Sequence, residues 1–598
     1  FGLALTGAEL EFTGLAPATQ TLSDAIRRSA LALGVAALIV MAVVLLLARR
    51  LRRRLLPVLV AASVLGFALL ALAIPQGALS LAVVVALPVL VGLAVDQAVQ
   101  AQLRLERRMH PDALRTLVIA GSAAAASALA LVASPFEVVR TVSVALAAAI
   151  VLSIFVAAAA SAAAISLSRQ RRERRQTSSD AGPRSTLSSA AHDADELVAS
   201  SAPIRATQSA ARALTALVAR RISPRAAIAI LVAGFAVAVG GAVVGASTPV
   251  ETNLTALVPQ DSAGARQLER LRVQTGAASS VSLVVETKNV GSPDLWRYLV
   301  AAQRQVAGGG DGRCDGRSLC NPLPLDELFG TTGKDLPTDE QVELTLSILP
   351  QGLSRSLIDP DRGVVALPFG IGTLDGAAQR DLVERLDQIA AAAPAGTQAA
   401  VTGLPAVVAA SAGALESPDR RLVLAGLAIL LPALVLLVAL RSPRRTIVAL
   451  VPAAMALGWS ELAMWALGVP RTPLTAALGV LVAAVAVEFS VLLGERYAAL
   501  RRVGVERERA ITSTLRETGG AVAISAGATI AGFAVLGLAS IPVISQFGLA
   551  TAIDLALVLV ALVIVGPATW VLADRTPDPS PATPAKPPSA RSAALPAR

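Results

Sequence analysis

From Leu81 to Arg107 the chain reads LAVVVALPVLVGLAVDQAVQAQLRLER, an almost unbroken apolar run with one carboxylate, Asp96, set inside it. About twenty apolar residues cross the hydrocarbon of a bilayer as a helix, so a run of this length reads as a membrane span. A charge at that depth costs at least ~2.5–3.5 kcal/mol, which makes an ionisable residue there a candidate for ion or proton traffic by default. Far downstream, PLTAALGVLVAAVAVEFSVLLGERYAALRR repeats the pattern with Glu488 in the place of Asp96. Asp96 stands eight residues before Arg104 and Glu488 eight before Arg496. At about 1.5 Å per helical residue, both acids then lie roughly 12 Å from the same membrane face.

Such runs recur along the chain. Of 598 residues 54% are hydrophobic and only 16% charged, more apolar sequence than a soluble core uses, and the chain reads as a polytopic α-helical membrane protein. The formal charge of +10 comes from arginine clusters that directly follow apolar runs, and aromatics make up only 3%. Positive-inside topology accounts for that charge, and no nucleic-acid partner is expected. Two histidines, His110 and His192, and two cysteines leave little material for a metal site or a histidine-based triad. No Gly-x-x-x-x-Gly-Lys-Ser/Thr loop is present, so ATP is not the expected energy source. With no nucleophile–base pair visible either, the chain is not read as an enzyme.

Taken in order, residues 1–29 open on an alternating, strand-like stretch and are expected to be the end of a first extracytoplasmic domain, cut short at Phe1. Residues 30–167 form a first membrane block of five spans, at about Ala30–Ala48, Leu55–Ile74, the Asp96 helix, Thr116–Ala133 and Val142–Leu167. Residues 168–225 turn polar, rich in Ser, Arg and Asp, and read as a flexible linker. A sixth span in 226–246 leads into the one large soluble region, 247–418. There Val281–Lys288 and Gly363–Ile371 read as strands, and Pro293–Val306 and Gly376–Ala391 as helices, which makes a mixed α+β domain. A second block of five spans fills 419–573, at about Leu422–Leu440, Thr446–Leu467, Leu474–Leu493, Gly519–Ala539 and Phe547–Leu572. The tail 574–598, rich in Pro, Ala and Ser, reads as disordered. About eleven spans are expected in all.

Basic clusters follow alternate spans, at Arg49–Arg54, Arg104–Arg115, Arg169–Arg175, Arg441–Arg445 and Arg496–Arg509, whereas loops such as IPQGALS and ASIPVIS carry none. The arginine-rich loops, the linker and the tail are therefore expected in the cytoplasm and the soluble domain outside. The two blocks also repeat each other: Gly14-Leu15 matches Gly403-Leu404, Gly66 matches Gly458, Asp96 matches Glu488, and SPFEVVRTVSVAL matches SIPVISQFGLATAI. Repeats of this kind are common in transporters, with the coupling site near their interface.

GLAVDQAV at Gly92–Val99, AVAVEFSV at Ala484–Val491 and the segments around Ser134-Pro135 and Ser540–Gly548 resemble the resistance-nodulation-division superfamily of proton-driven exporters, and within it the MMPL-type branch. The first of these is similar to the family's Gly-x-x-x-Asp-Tyr motif. The resemblance implies two repeats with porter-like α+β domains outside a bacterial plasma membrane. It also implies export of lipids or other hydrophobic molecules coupled to protons, with no other cofactor, in a monomer or an oligomer up to a trimer. Asp96 and Glu488 would form the proton relay. The chain departs from the family where tyrosines are usual, with Gln97 after Asp96 and Phe489 after Glu488. A Gln side chain still hydrogen-bonds a carboxylate and a Phe cannot. That departure keeps open a second reading, a non-transporting lipid sensor or scaffold.

Around the two acids, Gln97, Ser122, Ser127, Ser525 and Thr529 are candidate partners, though such hydroxyls more often satisfy backbone carbonyls or pack helices. Asp554 and Glu461 are further acids in apolar sequence, read either as part of the relay or as hydrated groups near the interface. Cys314 and Cys320, in an outside domain, are expected to form a disulfide closing a short loop. A metal there is the weaker reading, since no further cysteine or histidine is near.

Overall fold

The structure, a computed structural model, describes residues 32–46, 55–76, 81–106, 112–177, 222–250 and, with interruptions, 266–575. Residues 1–31, the linker from 178 to 221, Cys314 and the tail from 576 lie outside these, and with them the expected first-domain remnant, linker, disulfide and tail.

The first block contains α1 (Ala32–Leu46), α2 (Leu56–Gln76), α3 (Leu81–Glu106), α4 (Asp112–Leu129, continued by a 3₁₀ turn at Ala130–Ala133) and α5 (Glu137–Thr177). Next comes α6 (Pro224–Gly245). It starts sharply because the Ser223 side chain accepts the Ala226 N–H, with Pro224 in the first turn where no donor is needed. The second block holds α11 (Pro418–Leu440), α12 (Pro443–Ala466), α13 (Leu478–Arg502), α14 (Arg507–Leu536) and α15 (Pro542–Ala573); between the blocks lie, among the described residues, four soluble helices of ten residues or more, α7 to α10. Among the described residues eight helices are long and apolar enough to cross a membrane, fewer than the eleven expected. Parts of α2 and α3 lie among side chains that are not described, and the described apolar part of α1 is 15 residues, Ala32–Leu46. The molecule is a helical polytopic membrane protein.

Several helices outrun their apolar stretches. The linker is expected to open at Ser168, yet α5 continues to Thr177, because RQRRERRQ contains good helix formers and no breaker. Likewise α14 begins at Arg507 rather than near Gly519, since RERAITSTLRET also carries neither Gly nor Pro. Hydrophobic length marks the part of a helix that meets lipid, and hydrogen bonding extends the rest.

The soluble region is built on an antiparallel sheet with strand order β2-β4-β1-β5 and β3 also paired to β4. Its members are β1 (Ser279–Glu286), β2 (Leu319–Cys320), β3 (Ile358–Asp359), β4 (Val364–Ile371) and β5 (Gln398–Thr402). Val281 pairs Phe369, Leu283 pairs Leu367 and Val285 pairs Val365, so the alternate residues of β1 and β4 fall on one face and are buried. Over that face pack Leu295, Trp296 and Leu299 of α7 (Pro293–Ala307) and Leu382 and Leu386 of α9 (Gly376–Ala391). α8 (Asp339–Ile348) and α10 (Leu404–Glu416) complete the region, and α10 runs almost directly into α11. The two strands and two helices expected here form within two residues of their expected ends.

In the membrane region one apolar core spans both blocks, from Met41 of α1 to Val571 of α15. The blocks meet where α3 packs on α14, and α4 on α11 and α13. These contacts bring the Asp96 and Glu488 helices to a common junction.

Candidate functional site

On α3, Asp96 and Gln100 are one turn apart and share a face, while Gln97 points about 100° around the helix. All three are buried, as are Glu488 on α13 and Ser525 on α14. Polar groups at this depth are costly unless they find partners. The Ser525 hydroxyl donates to Asp96 Oδ1, and Gln97 Nε2 donates to Glu488 Oε1. The side chains of Glu488 and Gln100 also stand near the Asp96 carboxyl, although Asp96 Oδ2 and Gln100 Nε2 make no hydrogen bond among the described residues. One cluster thus joins an acid from each block through partners that cross between them.

A close approach of two backbones makes this reach available. A Cβ at Gly92 would come 2.7 Å from Thr529 Cγ2, so only glycine lets α14 lie this near α3. Thr529 Oγ1 sits 3.3 Å from the Gly92 carbonyl and 3.2 Å from that of Ser525. Gly92 and Asp96 are one turn apart on α3, as are Thr529 and Ser525 on the antiparallel α14, so the two helices meet in two adjacent rungs. On the other flank, a Cβ at Gly121 of α4 would strike Ile154 and lie 3.6 Å from Gln97 Nε2. Gly121 leaves room for the Gln97 amide.

The remaining candidates separate. Thr529 bonds backbone carbonyls and holds the α3–α14 contact. Ser127 of α4 donates to the Ala428 carbonyl of α11 at 2.8 Å, a helix-packing bond. Ser122 is half-buried on α4. Asp554 is fully buried on α15 with Ser460 and Glu461 of α12 beside it. Glu461 itself pairs with Arg471 at 2.6 Å. Arg471 also donates to the Gly245 carbonyl at the end of α6, and its own N–H bonds the Pro249 carbonyl. Glu461 therefore braces the place where α6 leaves the membrane region. Phe489 is buried and apolar, and the polar group that serves Glu488 comes instead from Gln97 in the other block.

Gln100 and Ser460 were not among the residues singled out from the sequence. Gln100 carried a usable signal, its i+4 spacing from Asp96. Ser460 carried none, because its place beside Asp554 joins distant parts of the chain.

Residues 355–587 match the model of the MMPL family. Over these residues the chain is similar to the MMPL family. The match includes Glu488, Ser525 and Asp554, and the rest of the site lies on the other block. A membrane protein of the archaeon Methanocaldococcus jannaschii is 23% identical over 340 residues, covering 54% of this chain and 85% of its own length. The cryo-EM structure of the hedgehog release protein Disp from the water bear Hypsibius dujardini superposes with a TM-score of 0.61 at 15% identity, over 92% of this chain and 71% of that one. The chain thus shares the fold of that protein.

Proposed function

We propose that this protein is a proton-motive-force-driven exporter of lipids or other hydrophobic molecules, set in a plasma membrane with its soluble domain outside. The observation that carries the reading is the buried cluster in which Asp96 and Glu488, one from each block, meet with Ser525 and Gln97 between them. Two carboxyl groups so close repel when both are ionised. A proton entering or leaving changes the charge at the junction of two blocks, and electrostatics there can bias how the blocks sit against each other. The similarity of residues 355–587 to the MMPL family supports transport, and the apolar, aromatic-poor character of the chain suits a greasy cargo. The superposed Disp is a hedgehog release protein, and release of a cargo by a protein of the same fold is consistent with export here.

The test is proton-gradient-dependent movement of lipid by the full-length protein in sealed vesicles. Asp96→Asn and Glu488→Gln keep side-chain shape and remove the charge a protonation cycle needs, so both are expected to fold and to lose gradient-driven transport. Asp96→Asn is expected to be the more damaging, because the Asp96 carboxyl has Ser525, Gln100 and Glu488 around it. Full gradient-driven transport by both variants would sink the relay. A wild-type protein that binds lipid and moves none under a gradient would favour the sensor or scaffold.

A further inference from the structure

At the face opposite the soluble domain, a cavity of about 350 Å³ opens between the end of α11, the start of α12, and the ends of α13 and α15. Its polar end carries five arginines, Arg444, Arg445, Arg501, Arg502 and Arg575, against two carboxylates, Glu495 and Asp574. Its inner wall is apolar, with Leu440, Val448, Ala449, Val491 and Trp570.

The two carboxylates behave differently. Asp574 is tightly held: Arg501 pairs with it at 2.6 Å, the Tyr497 hydroxyl donates to it at 2.7 Å, and the Tyr497 ring stacks on Trp570 with centroids 5.2 Å apart. That knot ties α13 to the end of α15 and forms a rigid side of the cavity. Glu495 instead lies loosely between two guanidiniums, 3.9 Å from Arg445 and 3.5 Å from Arg502. Their side chains are 43% and 53% exposed. Two exposed cations bracketing one carboxylate beyond tight ion-pair distance form a fork for a stronger anion, and guanidinium geometry matches phosphate oxygens best. Positive-inside topology alone explains basic residues at a membrane face. It does not explain their convergence on a cavity whose inner wall is apolar.

We propose that this cavity binds the phosphate headgroup of an anionic phospholipid from the leaflet opposite the soluble domain. Arg445 and Arg502 grip the phosphate, and the Val448–Val491 wall receives the first acyl methylenes. Basic pockets between membrane helices are suited to such headgroups, and this one joins α11, α12, α13 and α15. A lipid seated there bridges the arms that carry Glu488 and Asp554.

Full-length protein in detergent, titrated with phosphatidylglycerol or phosphatidylcholine and read by native mass spectrometry, tests this. Phosphatidylglycerol is expected to be retained over phosphatidylcholine, and Arg445→Gln with Arg502→Gln to cut that preference roughly tenfold. Val448→Trp fills the cavity while keeping every arginine, and is expected to abolish the preference as well. Arg509→Gln, an exposed arginine away from the cavity, is expected to leave it intact. Retention by the Val448→Trp variant would mean diffuse surface charge and overturn the pocket. Displacement of the lipid by inorganic phosphate as readily as by a short-chain phosphatidylglycerol would overturn the lipid assignment, since the apolar wall would then contribute nothing.

Discussion

Gln97 is the side chain on which the two blocks depend most directly. Its sequence neighbour is Asp96, yet its amide donates to Glu488 in the other block. The glutamine beside Asp96 therefore serves the acid whose own neighbour, Phe489, has nothing to offer. Replacing Gln97 with Leu keeps roughly the same volume and strands a buried carboxyl oxygen, a loss of about 1–3 kcal/mol. Thermal unfolding in detergent should show a lowered midpoint for Gln97→Leu, and a smaller effect for Ser122→Ala, whose hydroxyl bonds neither acid among the described residues. An equal loss for the two would remove Gln97 from its bridging role.

Helices in this protein meet through missing side chains. The Gly92 contact is one case, and a second joins α6 and α12, where a Cβ at Gly241 would strike the Gly458 carbonyl and one at Gly458 would strike Ala238. At the α3–α14 contact the obstacle to a methyl group is the Thr529 methyl, 2.7 Å away. Gly92→Ala is therefore expected to part the helices, weaken the Ser525–Asp96 bond and lower both stability and transport. Adding Thr529→Ser removes the obstructing methyl and keeps the hydroxyl, so the double variant should recover most of the loss. A cycle of these variants measures the coupling, and strict additivity would show that the contact is not what positions Ser525.

For the whole molecule, the arginine distribution sets the expected orientation, with the soluble domain outside and the Arg507–Leu536 helix entering from the cytoplasm. Cysteine substituted at Ser292, beside α7, should react with a membrane-impermeant reagent on intact cells. Cysteine at Arg509, whose side chain is 83% exposed, should react only after permeabilisation. The reverse pattern would invert the topology and place the lipid cavity in the outer leaflet.

Apolar periodicity and length were enough to mark the spans and the central strands, because burial against lipid or a single sheet face imposes its pattern residue by residue. The two acids were equally legible, since a carboxylate inside an apolar run stands out without any partner being known. Helix ends were less so: α5 and α14 continue past their apolar stretches on backbone hydrogen bonds, to which hydropathy is blind. Which partner serves which acid depended wholly on tertiary structure. Ser525 reaches Asp96, Gln97 reaches Glu488, Thr529 turns to backbone and Glu461 finds Arg471, through contacts between residues as many as 437 positions apart. A one-residue rotation of α3 or α14 would exchange those partners while leaving every apolar run unchanged, so composition and spacing could nominate these side chains but only packing could pair them.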